Sequence, residues 1–201
     1  VKGRAFGKSR GKLSAARDAA IDALNALEPL LGSYSYDALT IVQAQSVSEM
    51  PVGGVLILSE SDWANTDTLR ARVTALTAQV FLSDVVQVNP GSEAWLIEGA
   101  SEYLSLLLTE DSEGEAAFAA ALDALVRPAL QVTIPGGLSV DSFTNRFATQ
   151  REYEIVTRER GAAVMHELRL LMGRDAFLNG TRRSRWKPMT NRQPPVYATR
   201  S

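Results

Sequence analysis

The stretch at residues 93–107, EAWLIEGASEYLSLL, decides how this chain folds. Its hydrophobic residues recur at helical spacing, which predicts a helix from Glu93 to about Leu108. A helix that only covered a hydrophobic core would not need the Trp-Leu-Ile-Glu-Gly opening. The stretch therefore raises the question of what Glu98 and Gly99 contact elsewhere in the chain.

Polar residues occupy one side of this predicted helix. They are Glu98, Ser101, Glu102, Ser105 and Thr109. Because side chains three and four positions apart share a helical face, periodicity alone predicts an exposed polar stripe on the side away from the hydrophobic residues.

Composition narrows the possible functions. With 201 residues, 45% of them hydrophobic, the chain can bury the core of one domain. The formal net charge of −2 gives no general attraction to nucleic acid, and no apolar run approaches the roughly 20 residues of a membrane-spanning helix. Because the chain starts with Val1, we expect a segment of a longer protein with further domains at one or both ends.

Residue types exclude several kinds of catalytic site. The chain has no cysteine, which removes disulfides, thiolate metal ligands and cysteine nucleophiles but leaves the cellular compartment open. His166 is the only histidine, so a zinc centre with several histidines is excluded. We expect His166 to be a packed or surface residue of a long helix.

The first part of the chain predicts a small sheet between helices. The expected elements are a strand at 1–7, a helix at 8–32 that Gly32 ends, strands within 36–45 and 52–60 joined by a loop, and a helix from Asn65 or Thr66 to about Leu82.

The second part of the chain is predicted to be helical. After the helix that starts at Glu93, we expect helices at 113–126, from 139–148 onward, at 154–173 and at 174–183, with a loop at 127–139 that includes a short strand at 130–134. The fold class is therefore α+β, with a small N-terminal sheet packed on a mostly helical body.

The C-terminal residues differ in composition from the rest. Residues 180–201 hold six Lys or Arg, three Pro and no acidic residue. We interpret 184–201 as a basic, proline-containing tail or linker, and 1–183 as the folded domain. The alternative is a tail that binds phosphate or lipid.

The opening stretch resembles the Leu-Trp-Leu-x-Glu-Gly-x-x-x-Tyr segment of the aminopeptidase N-like zinc peptidases, gluzincins with a thermolysin-like catalytic domain. The Glu of that segment is the family's third zinc ligand, so the resemblance gives this position to Glu98. The family's spacing, carried back without a gap, puts Ala75 and Gln79 at the two histidines of His-Glu-x-x-His. Leu76 then stands at the position of the general-base Glu.

Other stretches carry the same resemblance. SEMPVGGVLIL, residues 48–58, is similar to the Gly-x-Met-Glu-Asn strand, with Pro51 at the Glu that holds a substrate amino group. RERGAA, residues 158–163, is similar to the Tyr-x-Lys-Gly-Ala helix, with Arg158 at the catalytic Tyr. Tyr153 lies five residues earlier, and we expect it to approach the cleft. We call these positions the remnant cleft: Pro51, Ala75, Leu76, Gln79, Glu98, Tyr153 and Arg158.

The resemblance implies a degenerate peptidase domain without zinc and without catalytic residues. Ala75 offers no lone pair, the Gln79 amide is a poor zinc donor, and Leu76 cannot act as a base. The expected role is a scaffold, or the binding of a peptide or protein in the remnant cleft, with no nucleic acid partner. We further expect Arg158 to form an ion pair with Glu98 in place of the metal.

The alternative is an active metallopeptidase or another hydrolase completed by segments or chains outside this sequence. The residues available to it are Glu98, Glu102, Asp84, Tyr153 and His166. Their spacing matches no catalytic motif.

Overall fold

A computed structural model describes residues 10–44, 50–86, 88, 93–133 and 149–181 of the chain. It confirms the predicted α+β class, because a three-stranded sheet lies between the first two helices of a mostly helical chain. Within the described residues, no helix is long and apolar enough to cross a bilayer. The predicted strand at 1–7, the start of a helix at 139–148 and the tail at 184–201 lie outside the described residues.

The sheet has the order β1-β3-β2. Strand β1 (Thr40–Ala44) runs parallel to β3 (Val55–Ser59), while β2 (Met50–Val52) pairs antiparallel with β3. We predicted β1 and β3, but assigned Met50 and Pro51 wrongly to the loop between them. A three-residue strand that contains proline has little sequence signal, and the edge of a sheet is where proline is tolerated.

The turn between β2 and β3 needs both of its glycines. Gly53 has a φ of 55°, which side chains with a Cβ rarely adopt. A Cβ on Gly54 would lie 2.6 Å from the carbonyl oxygen of Ala38. The sequence Gly53-Gly54 therefore makes the tight hairpin that brings β2 back along β3.

The helical body begins with four helices, of which the first two pack against the sheet. They are α1 (Arg10–Leu31), α2 (Thr66–Val85), α3 (Ala94–Glu113) and α4 (Glu115–Leu130). Asn65 starts α2 by accepting hydrogen bonds from the backbone amides of Asp67 and Thr68, as its position predicted. Gly114, with a φ of 92°, separates α3 from α4.

Both α3 and α4 continue beyond their predicted ends at Leu108 and Val126. In α4 the last turn includes Pro128, so Leu130 is helical and Gln131 follows in a turn. The short strand predicted from Leu130 is therefore wrong over the described residues. A proline near a helix end removes only one backbone hydrogen bond.

The C-terminal helices form a nearly continuous rod. It consists of α5 (Gln150–Glu154), a π-helical turn (Ile155–Arg160) and α6 (Gly161–Met172), and α7 (Arg174–Thr181) follows. Gly173 ends α6 with a φ of 82°, which confirms the predicted stop. The sequence did not predict the π-helical turn, because its residues have ordinary helical spacing.

Two clusters of buried hydrophobic residues hold these elements together. The first joins α1 and α2 to the sheet and includes Ala16, Leu56, Leu58, Val73 and Leu76. The second joins α1 to the helical body and includes Leu27, Phe81, Tyr103, Phe118 and Phe177. Because α1 and α2 contribute to both clusters, the sheet and the body share one continuous core.

Gly99 answers part of the question that the opening stretch raised. A Cβ on Gly99 would lie 2.5 Å from the carbonyl carbon of Gly161 and 2.6 Å from its Cα. A Cβ on Gly161 would lie 2.9 Å from the Cα of Gly99. Helix α3 and the start of α6 therefore cross backbone to backbone, and only glycine at both positions allows it.

This crossing predicts a large effect of a single methyl group. We expect Gly99→Ala to lower the free energy of unfolding by about 3 kcal/mol, because backbone atoms cannot move aside as a flexible side chain can. Gly180→Ala is the matched control. Among the described residues, no atom lies within 4 Å of a Cβ there, so the better helix former should be neutral or stabilise the fold by up to about 1 kcal/mol.

Urea denaturation of both variants tests this prediction. Equal midpoints for Gly99→Ala and the unmodified chain would show that the two helices do not pack this closely.

Candidate functional site

The polar side of α3 is buried, which corrects the expected exposed stripe. Ser101, Glu102 and Ser105 are each at most 8% exposed. Burying a carboxylate is costly unless it is paired, so this side of α3 must meet partners on other helices. Those partners lie on α2 and on the π-helical turn.

Helix α2 provides the first set of partners. Arg72 Nη1 lies 2.5 Å from Glu102 Oε2, and both side chains are about one-tenth exposed. Ser105 donates a hydrogen bond to the carbonyl oxygen of Ala71 at 3.2 Å. These contacts show that α2 and α3 are antiparallel neighbours along their polar sides.

The antiparallel arrangement determines which other residues face each other. Ala75 and Gln79 lie one and two turns after Arg72 on the same side of α2. Glu98 lies one turn before Glu102 on α3. Helical geometry and the ungapped spacing of the motif therefore both predict that Ala75 and Gln79 turn toward Glu98.

The carboxylate of Glu98 is held by hydroxyl groups. Tyr153 donates a hydrogen bond to Glu98 Oε1 at 2.7 Å. The hydroxyl of Thr157 has two acceptors within reach, the carbonyl oxygen of Tyr153 at 2.9 Å and the carboxylate of Glu98. Tyr153 thus reaches the remnant cleft from α5.

Burial raises the pKa of Glu98 above its ordinary value. The hydrogen bonds from Thr157 and Tyr153, and the positive charges of Arg158 and Arg72, oppose this rise but do not cancel it. Burial and the neighbouring Glu98 in turn raise the pKa of Tyr153 far above that of a free phenol. Tyr153 is therefore a permanent hydrogen-bond donor to Glu98.

Thr157 is a site residue that sequence reasoning missed. It is fully buried and lies in the π-helical turn, four residues after Tyr153. The spacing of four predicts that both residues share a helical face, and this was the one signal that could have identified Thr157.

Arg158 joins the same group of charges. Its Nε lies 3.5 Å from Glu102 Oε2, so Glu102 has a guanidinium group from α2 and another from the π-helical turn. The expected direct ion pair of Arg158 with Glu98 stays a prediction. The positive charge of Arg158 nevertheless acts on Glu98, because it opposes the rise that burial causes in the pKa of that carboxyl.

The structure places Leu76 against the sheet and Pro51 within it. Leu76 is 2% exposed and packs in the hydrophobic cluster that joins α2 to the sheet. Pro51 lies in β2, opposite Leu56 of β3, on the outer strand of the described sheet. Neither residue offers a group that can accept or donate a proton.

Two of the other polar candidates have partners elsewhere. The Nδ1 of His166 lies 3.0 Å from the hydroxyl of Tyr103, and its ring packs against Phe118. Burial, followed by the charge of Arg169, lowers the pKa of His166. Asp84 accepts a hydrogen bond from Tyr36 at 2.9 Å. The structure therefore brings together Glu98, Glu102 and Tyr153, whereas His166 and Asp84 lie with other residues.

The oxygen atoms of Glu98, Glu102 and Gln79 are the metal donors that these residues could offer. Over the part of the chain that the structure describes, no three His, Cys, Asp or Glu side chains are grouped as a metal ion would need.

Solved structures with a similar fold are zinc peptidases. The M1 zinc metallopeptidase of Deinococcus radiodurans matches with 19% identity and a TM-score of 0.55 over 87% of this chain. A point mutant of that enzyme bound to a Tyr-Ser-Ala substrate matches with 19% identity and a TM-score of 0.58 over 88% of the chain. This chain thus has the fold of part of an M1 peptidase.

The match is limited to part of those enzymes. The chain spans 36% and 37% of the length of these two neighbours. No protein-family model matches the sequence, and neither does any curated protein. The neighbours therefore support an α+β fold similar to that of M1 peptidases.

The raised pKa of Glu98 predicts how Glu98→Gln changes stability with pH. The unfolded carboxyl loses its proton near its ordinary pKa of 4.5, whereas the folded one keeps it to higher pH. As pH rises from the pKa of the unfolded carboxyl to the higher pKa of the folded one, the natural chain loses stability. A neutral glutamine at this position does not cause that loss. We expect Glu98→Gln to be neutral near pH 3.5 and more stable than the natural chain near pH 7.

Chemical denaturation at a series of pH values measures this difference. Glu113→Gln, at an exposed position of the same helix, is the control and should show no such trend. A stability difference for Glu98→Gln that falls as pH rises would contradict the raised pKa.

Proposed function

We propose that this chain is a catalytically inactive peptidase-like domain. It keeps the fold of a zinc aminopeptidase as a scaffold, or binds a peptide or protein in the remnant cleft. The observation that carries the proposal is the environment of Glu98, whose carboxylate is held by the hydroxyl groups of Tyr153 and Thr157. The motif spacing gives the family's two histidine positions to Ala75 and Gln79, a methyl group and an amide.

These residues do not fit a zinc ion. Tetrahedral zinc in a hydrolase needs three protein donors and one open position, and its protein ligands are usually imidazole, thiolate or carboxylate. Ala75 supplies no donor and Gln79 only a neutral amide oxygen. Glu98, the one strong donor of the three, already accepts a hydrogen bond from Tyr153 at 2.7 Å.

The groups that would act on a peptide bond are also missing at their expected positions. A general base must reach the attacking water, and Leu76 instead packs its side chain in the core. Tyr153 keeps its proton, since its pKa is raised, and it donates to Glu98. Pro51 cannot attract the ammonium group of a substrate.

The remnant cleft nevertheless stays accessible, which supports a binding role. Five of its residues are partly exposed, and only Ala75 and Leu76 are buried. The partly exposed residues are Pro51, Gln79, Glu98, Tyr153 and Arg158. A ligand could therefore contact the hydrogen-bonding groups around Glu98 without unfolding the domain.

Zinc content and peptide hydrolysis test the proposal directly. We expect the purified chain, incubated with zinc and freed of excess metal, to hold much less than one zinc per molecule by elemental analysis. The peptide Tyr-Ser-Ala, which is bound to one of the solved neighbours, is the probe for hydrolysis and for binding by calorimetry. One zinc per chain together with chelator-sensitive hydrolysis would overturn the proposal.

Placing histidines at residues 75 and 79 tests whether these positions correspond to the family's two zinc-binding histidines. We expect Ala75→His combined with Gln79→His to bind one zinc per chain, because Glu98 then completes a set of three donors. Adding Glu98→Gln to this double variant is the matched control and should weaken zinc binding at least about tenfold. Equal zinc affinity with and without Glu98 would show that these three residues do not converge.

A further inference from the structure

The charges around Glu102 point to a second property of this site. Glu98 and Glu102 are successive carboxylates on the side of α3 that faces α2 and the π-helical turn. Two acidic groups this close, in partly or fully buried positions, need positive charge nearby. A divalent metal ion is one source of such charge, and the residues at Ala75 and Gln79 do not fit one.

Guanidinium groups supply this charge from the two flanking elements. Arg72 of α2 and Arg158 of the π-helical turn lie 2.5 Å and 3.5 Å from the same oxygen, Oε2 of Glu102. Glu102 therefore connects three segments of the chain through one carboxylate. Glu98 lies one helical turn before Glu102 on α3, so the same two positive charges also act on its carboxylate.

The low exposure of its side chains shows that this cluster belongs to the interior of the domain. All three side chains are at most 16% exposed. Glu159, also in the π-helical turn, is 4% exposed and forms an ion pair with Arg151 of α5. The charges on this side of the rod are thus paired within the chain.

We propose that Arg72 and Arg158 together take the place of a metal ion in this fold. Their two guanidinium groups hold the carboxylate side of α3 against α2 and the π-helical turn, and they repel a divalent cation from Glu98. The domain thereby keeps the helix arrangement of its structural neighbours without depending on metal for its stability. This inference concerns the cohesion of the fold and goes beyond the proposed absence of catalysis.

The first experiment measures stability in the presence of chelator, so that bound metal plays no part. We expect Glu102→Gln to raise the unfolding equilibrium constant at least about 100-fold, because it leaves two buried guanidinium groups without their shared carboxylate. Glu113→Gln is the same chemical change at an exposed position of α3 and should change the constant less than about threefold.

Replacing all three charges separates an electrostatic role from simple packing. We expect the triple variant with Arg72→Met, Arg158→Met and Glu102→Met to have an unfolding equilibrium constant at least about tenfold lower than that of Glu102→Gln. The reason is that a buried ion pair can be exchanged for apolar side chains. A loss in Glu102→Gln no larger than in Glu113→Gln would overturn the inference, as would a triple variant less stable than Glu102→Gln.

The second experiment asks whether guanidinium charge and metal compete. In the variant with histidines at positions 75 and 79, we expect the further change Arg158→Met to tighten zinc binding at least about tenfold, since one repelling charge is removed. Unchanged or weaker zinc affinity after Arg158→Met would show that the charge of Arg158 does not oppose metal binding. If the natural chain binds zinc and hydrolyses peptide, the proposed function fails, whereas the stability measurements in chelator still decide the role of Arg72 and Arg158.

Discussion

The backbone contact between Gly99 and Gly161 sets the distances on which the remnant cleft depends. Each glycine leaves room for the other helix, so α3 and the rod of α5, the π-helical turn and α6 approach more closely than side chains allow. At this separation Tyr153 reaches Glu98 with a hydrogen bond of 2.7 Å, and Arg158 approaches Glu102. The Trp-Leu-Ile-Glu-Gly opening thus supplies the carboxyl group of Glu98 and, through Gly99, the close helix contact that brings Tyr153 to it.

The polar side of α3 shows why periodicity alone gave the wrong exposure. A stripe of Glu, Ser and Thr opposite hydrophobic residues is typical of a solvated face, and nothing within the helix distinguishes a buried one. The decisive residues, Arg72 and Arg158, lie 30 positions before and 56 positions after Glu102 along the chain. Their pairing is a tertiary interaction that local spacing cannot predict.

Other features followed from the sequence because they depend on local chemistry. The Asn65 cap, the stops at Gly32 and Gly173 and the long helices rest on backbone hydrogen bonding and hydrophobic spacing within a few residues. The short strand β2 and the end of α4 at Leu130 did not follow, since tertiary packing overrides the usual preferences of Pro51 and Pro128. For the remnant cleft, the motif spacing indicated which helices meet, whereas Thr157 and the role of Glu102 emerged only from the structure.

The π-helical turn at Ile155–Arg160 has a consequence for aligning this chain with other sequences. A wide turn of this kind holds more residues than an α-helical turn, so it acts like a small insertion hidden inside a helix. Residues before and after it are out of phase with any relative whose rod is uniformly α-helical. An alignment with such a relative that permits no gap there could not match both Tyr153, before the turn, and Gly161, after it, in the correct helical phase.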